Sequence, residues 1–163
     1  MIPSEQIDKF IQQASEQLAG ELQQQVSLAD FNAWRSGGLA QILYRPADVE
    51  DLAKLMALTP SELPILWLGL GSNVLVRDGG FNGLVIITQG RLKEIENTGT
   101  QVVRAEAGAS CAQVARFCAR QGLTGVEFLA GVPGTMGGAL AMNAGCFGGE
   151  TWSYVKGVEM MDR

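Results

Sequence analysis

The sequence predicts an α+β fold in two parts, a small parallel βαβ subdomain followed by a larger, mainly antiparallel sheet with helices. Three observations carry this. A strand–helix–strand order between residues 42 and 68 has the spacing of a right-handed parallel crossover. The strands that follow are short and separated by tight turns. Glycine accounts for 21 of the 163 residues, well above the usual ~7%, and falls in clusters where backbone must turn sharply or approach a neighbour closely.

Residues 4–22 read as a helix capped by Ser4, with Ile7, Phe10, Ile11, Ala14, Leu18 and Leu22 at helical spacing. We treat 1–25 as a helical extension and 26–163 as the functional domain. Ile42–Arg45 reads as a strand stopped by Pro46. Residues 46–58 form a second helix with acids in its first turn and Val49, Leu52, Ala53 and Met56 on one stripe. Residues 64–68 read as a buried strand, and 84–88 and 101–106 as two more. A third helix runs from its cap Ser110 to near Gly122. A short fourth begins near Thr135, and 157–162 reads as a strand. Because the chain stops at Arg163 just as that strand becomes regular, it is expected to be part of a longer protein.

Composition removes several function classes. Hydrophobic residues make up 47% of the chain, enough to fold a core. Net charge is −5 with no basic stripe, which argues against a nucleic-acid partner. An anionic ligand would have to be held by backbone N–H groups. With no histidine and only Cys111, Cys118 and Cys146, neither a histidine triad nor a zinc site can be assembled. An odd cysteine count, with no signal peptide read, favours a reducing cytoplasm. Cys111 and Cys118, seven apart in a helix, read as buried thiols on one face. The uncharged stretch from Phe128 to Gly149 is rejected as a membrane span, because seven glycines, a proline and an asparagine interrupt it.

Two glycine-rich loops carry the chemistry. In the first, a hydrophobic strand ending at Leu68 runs into Gly69-Leu70-Gly71-Ser72-Asn73-Val74-Leu75. Successive N–H groups in such a turn make an anion-binding nest, although a plain strand-to-strand turn would account for it too. It is not the dinucleotide fingerprint, which needs a third glycine where Val74 stands and then a helix. The second loop is Ala130-Gly131-Val132-Pro133-Gly134-Thr135-Met136-Gly137-Gly138-Ala139, followed by Asn143 and Gly145. Here Thr135 can cap a helix whose first turn is bare of side chains, so that its N–H groups suit phosphate and a flat ring can approach. Close packing between helices is the competing explanation. Two such loops in one chain favour a large, two-ended ligand. A third segment, Asn32-Ala33-Trp34-Arg35-Ser36-Gly37-Gly38, reads by itself as a surface turn.

Together these three segments resemble the UDP-N-acetylenolpyruvoylglucosamine reductases, a flavoenzyme family of peptidoglycan precursor synthesis within the wider vanillyl-alcohol oxidase class. The family pattern N-T-W/F-R-x-G-G, G-x-G-S-N-x-L-V-x-D, A-G-x-P-G-x-x-G-G and N-A-G matches in order and spacing over roughly residues 30–163. Ala33 departs from the family's threonine. The resemblance implies a two-subdomain FAD-binding fold with the cofactor in the cleft between subdomains. It implies that Gly69–Leu75, with Leu68, surrounds the FAD pyrophosphate. Residues Ala130, Gly131, Val132, Pro133, Gly134, Thr135, Gly137, Gly138 and Ala139 would contact phosphate, ribityl and ring, with Asn143 and Gly145 near the isoalloxazine and Ala107 and Gly108 also at the cofactor.

The resemblance further implies NADPH as electron donor and a UDP-sugar enolpyruvate as acceptor. In the family the proton-donating serine and the enolate-stabilising arginine and glutamate lie beyond the N-terminal domain, the arginine in a Y-R-x-S motif. That motif is not present here, and Ser153-Tyr154-Val155-Lys156 does not replace it. No catalytic residue is therefore assigned, and a C-terminal substrate domain is expected outside these residues. Two other readings stay open: another FAD oxidoreductase of the same fold, and a non-catalytic flavin-binding module.

Overall fold

The described residues, 2–163 of the chain in a computed structural model, begin with helix α1 (Ser4–Gln17). It buries Ile7, Phe10 and Ala14, with Pro3 rather than Ser4 at its cap. The helical reading of 4–22 runs too far. Strand β1 (Glu21–Ser27) follows and pairs antiparallel with β2 (Leu39–Arg45). Leucines at positions 18 and 22 fit a helix, but the backbone between them is claimed by tertiary partners. Ala19 N donates to Asp51 Oδ1 at 2.7 Å and Gly20 N to Tyr44 Oη at 2.9 Å. Long-range pairing overrides local periodicity here.

Helix α2 (Val49–Leu58) is capped by Asp48, whose side chain accepts from Asp51 N at 2.8 Å. Its buried stripe is Asp51, Leu52, Leu55 and Met56. Val49 and Ala53, assigned to that stripe from sequence, face solvent. Strands β3 (Ile65–Leu68) and β4 (Phe81–Ile87) complete a sheet of order β1-β2-β4-β3. Both β2 and β3 run parallel to β4, which lies between them, so Val85 stands opposite Leu43 on one side and Leu66 on the other. The expected parallel crossover is present, with β4 filling the gap. β4 is buried on both faces from Leu84 to Ile87, as a central parallel strand should be. β3 is the edge and leaves Trp67 exposed, against the reading of a buried strand.

These elements, with Asn73–Ile87 and Glu159–Arg163, form one compact unit. Residues 157–162 are not a strand. They find no ladder partner among the described residues, and a strand needs one for its N–H and C=O groups. Instead the Arg163 guanidinium donates to the carbonyls of Pro60, Ser61 and Leu63.

The second unit comprises Gly69–Ser72 and Thr88–Val158. It holds the antiparallel pair β5 (Ile95–Gly99) and β6 (Val102–Ala105), helix α3 (Cys111–Arg120), a 3-10 turn at Glu127–Gly131, helix α4 (Met136–Met142) and the small hairpin β7 (Gly145–Cys146) and β8 (Gly149–Glu150). The strands are antiparallel as expected, but as two separate ladders rather than one larger sheet. Ser110 and Gln113 form a capping box that starts α3. Cys111, Val114, Ala115 and Cys118 face a core shared with Phe128, Leu129, Val132 and Ala139. Both thiols are free, and burial pushes their pKa values up, so they are inert packing groups. Among the described residues no helix is long and apolar enough to cross a membrane.

Candidate cofactor site

The two glycine-rich loops meet inside the second unit. Ser72 Oγ donates to Pro133 O at 2.6 Å. Gly69 lies so close to Thr135 that a β-carbon on it would overlap the threonine Oγ1. Thr135 is 2% exposed, and its hydroxyl accepts from Gly138 N at 3.4 Å, capping α4. On the far side of the second loop, Cys111 N donates to Gly134 O at 3.0 Å and Met136 N to Ala109 O at 2.8 Å, which ties the loop to the start of α3. Gly137 N donates to Ala107 O at 2.8 Å. The residue pairs separated by some sixty positions in sequence thus form one continuous rim.

The expectation that the first turn of α4 offers free N–H groups is corrected by these bonds. The amides of Met136, Gly137 and Gly138 all have acceptors within the protein. The free donors lie earlier. Among the described residues the amides of Leu70, Gly71, Ser72, Gly134 and Thr135 meet no protein acceptor. Gly71 adopts φ +71°, the left-handed region that lets successive amides converge in a nest.

The glycines divide into two kinds. A β-carbon on Gly108 would overlap Thr88 O and Arg91 O, one on Gly131 would come within 2.7 Å of Cys146 Sγ and Phe147, and one on Gly145 within 2.6 Å of Gly149 O. These glycines are demanded by the fold. On Gly134 a β-carbon would meet nothing nearer than Ser72 Oγ at 4.0 Å, and on Gly138 nothing nearer than Thr135 Oγ1 at 3.5 Å. Neither has a positive φ. Nothing in the chain itself requires glycine at these two places, which is what a surface reserved for a closely approaching ligand looks like.

The remaining residues assigned from sequence are placed as follows. Leu68, Gly108, Val132 and Ala139 are buried, and Val74 packs against the core of the first unit. Leu70, Ser72, Asn73, Leu75, Ala107, Ala130 and Pro133 are exposed. Asn143 caps the end of α4 at φ +45° and has both side-chain ends engaged. Its Nδ2 donates to Glu150 Oε2 at 3.2 Å, and its Oδ1 accepts from Trp152 N at 3.0 Å. Two contributors escaped the sequence reading. Ala109 holds Met136 only through its carbonyl, which no sequence pattern reveals. Trp152 donates its indole N–H to Leu140 O at 2.9 Å and so fixes the exit of α4. In the first unit, Asn32 Nδ2 donates to Leu28 O at 2.6 Å and Ser36 O at 2.9 Å, while Gly37 and Gly38 abut Val76 and Asp78, so the third segment braces the strand-to-loop region after Asn73. Among the described residues no cluster of three or more cysteine, aspartate or glutamate side chains is arranged to hold a metal.

The model of the FAD binding domain family matches residues 40–163, most of the chain. The chain belongs to this FAD-binding family. Within it, the chain is 55% identical over 144 residues to the UDP-N-acetylenolpyruvoylglucosamine reductase of Alkalilimnicola ehrlichii, covering 88% of this chain and 48% of that one. It is 59% identical over 137 residues to the enzyme of the same name from Methylococcus capsulatus, covering 83% and 45%. It therefore spans about half the length of the curated relatives it matches. The crystal structure of the reductase from Thermus caldophilus superimposes with a TM-score of 0.60 at 33% identity, covering 82% of this chain and 45% of that one. A cholesterol oxidase from Brevibacterium sterolicum does so with 0.59 at 25% identity, covering 78% and 25%. The α+β FAD-binding fold expected from the motifs is thus the fold of the family, and the motif resemblance agrees with the names of its relatives.

Proposed function

We propose that this chain is the FAD-binding part of a reductase that uses NADPH to convert UDP-N-acetylglucosamine enolpyruvate to UDP-N-acetylmuramate in the cytoplasm, for peptidoglycan synthesis. The observation that carries this is the joined pair of loops, with free amides and two glycines the fold does not need, in a chain over half identical to enzymes of that name. We assign the flavin-binding part to residues 26–163.

The residues present fit FAD. The amides of Leu70, Gly71 and Ser72 on one loop and of Gly134 and Thr135 on the other would hold its pyrophosphate by neutral donors, in keeping with a chain of net charge −5. The side-chain-free surface at Gly134 and Gly138 would admit the flat ring system. Ala107, Ala130 and Gly131 would line its approaches, and Asn143 and Gly145 would shape the far end through the α4 exit. When bound, FAD supplies two-electron hydride chemistry. The chain's own contribution is to bind it, orient it and exclude water from one side. The proton donor for the substrate carbon would come from the remaining half of the enzyme.

The test is anaerobic stopped-flow absorbance on the flavin's visible band. With this chain alone, NADPH bleaches bound flavin slowly, and the UDP-sugar enolpyruvate does not restore it. Fusion to the remaining half of the Methylococcus capsulatus relative gives rapid, substrate-dependent reoxidation. If the fusion binds FAD yet reoxidises only with oxygen, whatever UDP-sugar is present, the chain belongs to a different oxidoreductase. Rapid reoxidation by the chain alone would put catalytic groups within it.

A further inference from the structure

We propose that the side chain of Ser72 is a positioning group and not itself a phosphate ligand: its hydroxyl locks the Pro133–Gly134 peptide and so aims the Gly134 amide at the anionic group of the cofactor. The inference rests on the reading that FAD binds here. It begins from where the serine proton goes. Ser72 Oγ donates to Pro133 O at 2.6 Å, a short hydrogen bond between positions sixty-one apart in sequence. A hydroxyl has one proton to give, so this serine cannot also donate to a phosphate while the bond holds.

The consequence follows from peptide geometry. The Pro133–Gly134 peptide is trans, since the chain contains no cis bonds among the described residues. In a trans peptide the C=O and N–H point in opposite directions across one plane. Holding Pro133 O towards Ser72 therefore turns the Gly134 N–H away from it. The next peptide is held in the same manner, because Gly134 O accepts from Cys111 N at 3.0 Å. Two consecutive carbonyls are thus held by protein donors, and the amides of Gly134 and Thr135 remain without protein acceptors. The peptide at Gly134 also faces open space. A β-carbon there would meet nothing within ordinary contact distance except Ser72 Oγ at 4.0 Å, so the space in front of this peptide is kept clear by sequence and not by packing.

The latch sits on the exposed rim. Covered by a ligand, it would be shielded from water and gain strength. It would also couple the loops, because the nest around Gly71 and the Gly134 amide could not move independently.

The experiment uses the 163-residue protein with FAD, with riboflavin (which lacks phosphate), and with the variants Ser72→Ala and Ser72→Thr. Removing the latch is expected to weaken FAD roughly tenfold, the scale of one hydrogen bond to a charged group, while riboflavin affinity stays unchanged and Ser72→Thr restores FAD. In amide NMR spectra without ligand, Ser72→Ala is expected to shift the Gly134 resonance, and FAD is expected to move the Gly134 amide proton downfield in the wild type but not in Ser72→Ala. Equal FAD affinity of Ser72→Ala and wild type would overturn the latch and leave FAD binding intact as a function. Equal weakening of FAD and riboflavin, or a Gly134 amide indifferent to FAD in the wild type, would also overturn it. A wild-type protein that binds neither flavin would bring down the FAD reading together with the latch.

Discussion

Gly69 lies against Thr135 with no room for a β-carbon, because that carbon would overlap the threonine Oγ1. Thr135 cannot easily retreat, being buried and engaged with the Gly138 amide. Gly69→Ala is therefore expected to cost about 1–3 kcal/mol of stability, the usual penalty for overpacking. Denaturant unfolding measures this. An unchanged midpoint would mean that the loops are free to separate.

Gly134→Ala and Gly138→Ala should behave in the opposite way. Both have room, and Gly138 lies in α4, where alanine is favoured over glycine by up to about 1 kcal/mol. Stability is expected to hold or rise while FAD affinity falls by roughly tenfold or more, since a methyl group would intrude on the ligand surface. Isothermal titration beside a melting curve separates the two effects. Variants that bind FAD as well as the wild type would assign these glycines no part in the site.

Gly71→Val places a β-branched side chain at φ +71°, a backbone conformation such residues avoid. Loss of FAD binding is expected with far-UV circular dichroism roughly intact, because the strain falls in a loop and not in a helix or strand. Retained affinity would reduce the GLGSN segment to a simple turn.

Much of this was legible in the sequence, and the exceptions have physical causes. Helices α3 and α4 declared themselves through caps at Ser110 and Thr135, each a side chain accepting a backbone N–H three residues on, and α2 through the acids of its first turn and its apolar stripe, while its cap Asp48 was not read. Strand β1 was hidden because the helical-looking Leu18 and Leu22 lie either side of Gly20, while the backbone at Ala19 and Gly20 is held by Asp51 and Tyr44, each more than twenty positions away. The site's glycines were visible, but their division into structural and ligand-facing kinds was not. Gly69 and Gly134 look alike in sequence and differ only in what stands opposite them. The free amides were likewise misplaced onto α4, because the carbonyls that occupy its first turn belong to Ala107 and Ala109 and carry no side-chain signal.

The Tyr44–Asp51 pair makes acid stability a test of the first unit. Asp51 Oδ2 accepts from Tyr44 Oη at 2.7 Å and from Ala47 N at 3.0 Å, while Oδ1 accepts from Ala19 N. Burial pushes the Asp51 carboxyl up, but the hydrogen bonds from Tyr44, Ala47 and Ala19 together outweigh it and hold the pKa below the ordinary value. The folded state therefore favours the ionised form. Its contribution is present above about pH 4, the ordinary aspartate value, and is lost as pH falls through the lowered folded value. Asp51→Asn is expected to lower stability at neutral pH by about 1–3 kcal/mol and to flatten the acid limb of the stability profile. An acid limb identical in both proteins would show that Asp51 is not what the fold protects.

The claim on which the rest depends is that the joined loops bind FAD, and equilibrium titration of the purified, flavin-free chain with FAD, followed by visible absorbance and thermal melting, tests it most directly. The account predicts saturable binding, a perturbed visible band and a melting temperature that rises with FAD concentration, as ligand linkage requires. A melting temperature and flavin spectrum that stay the same across the titration would contradict it.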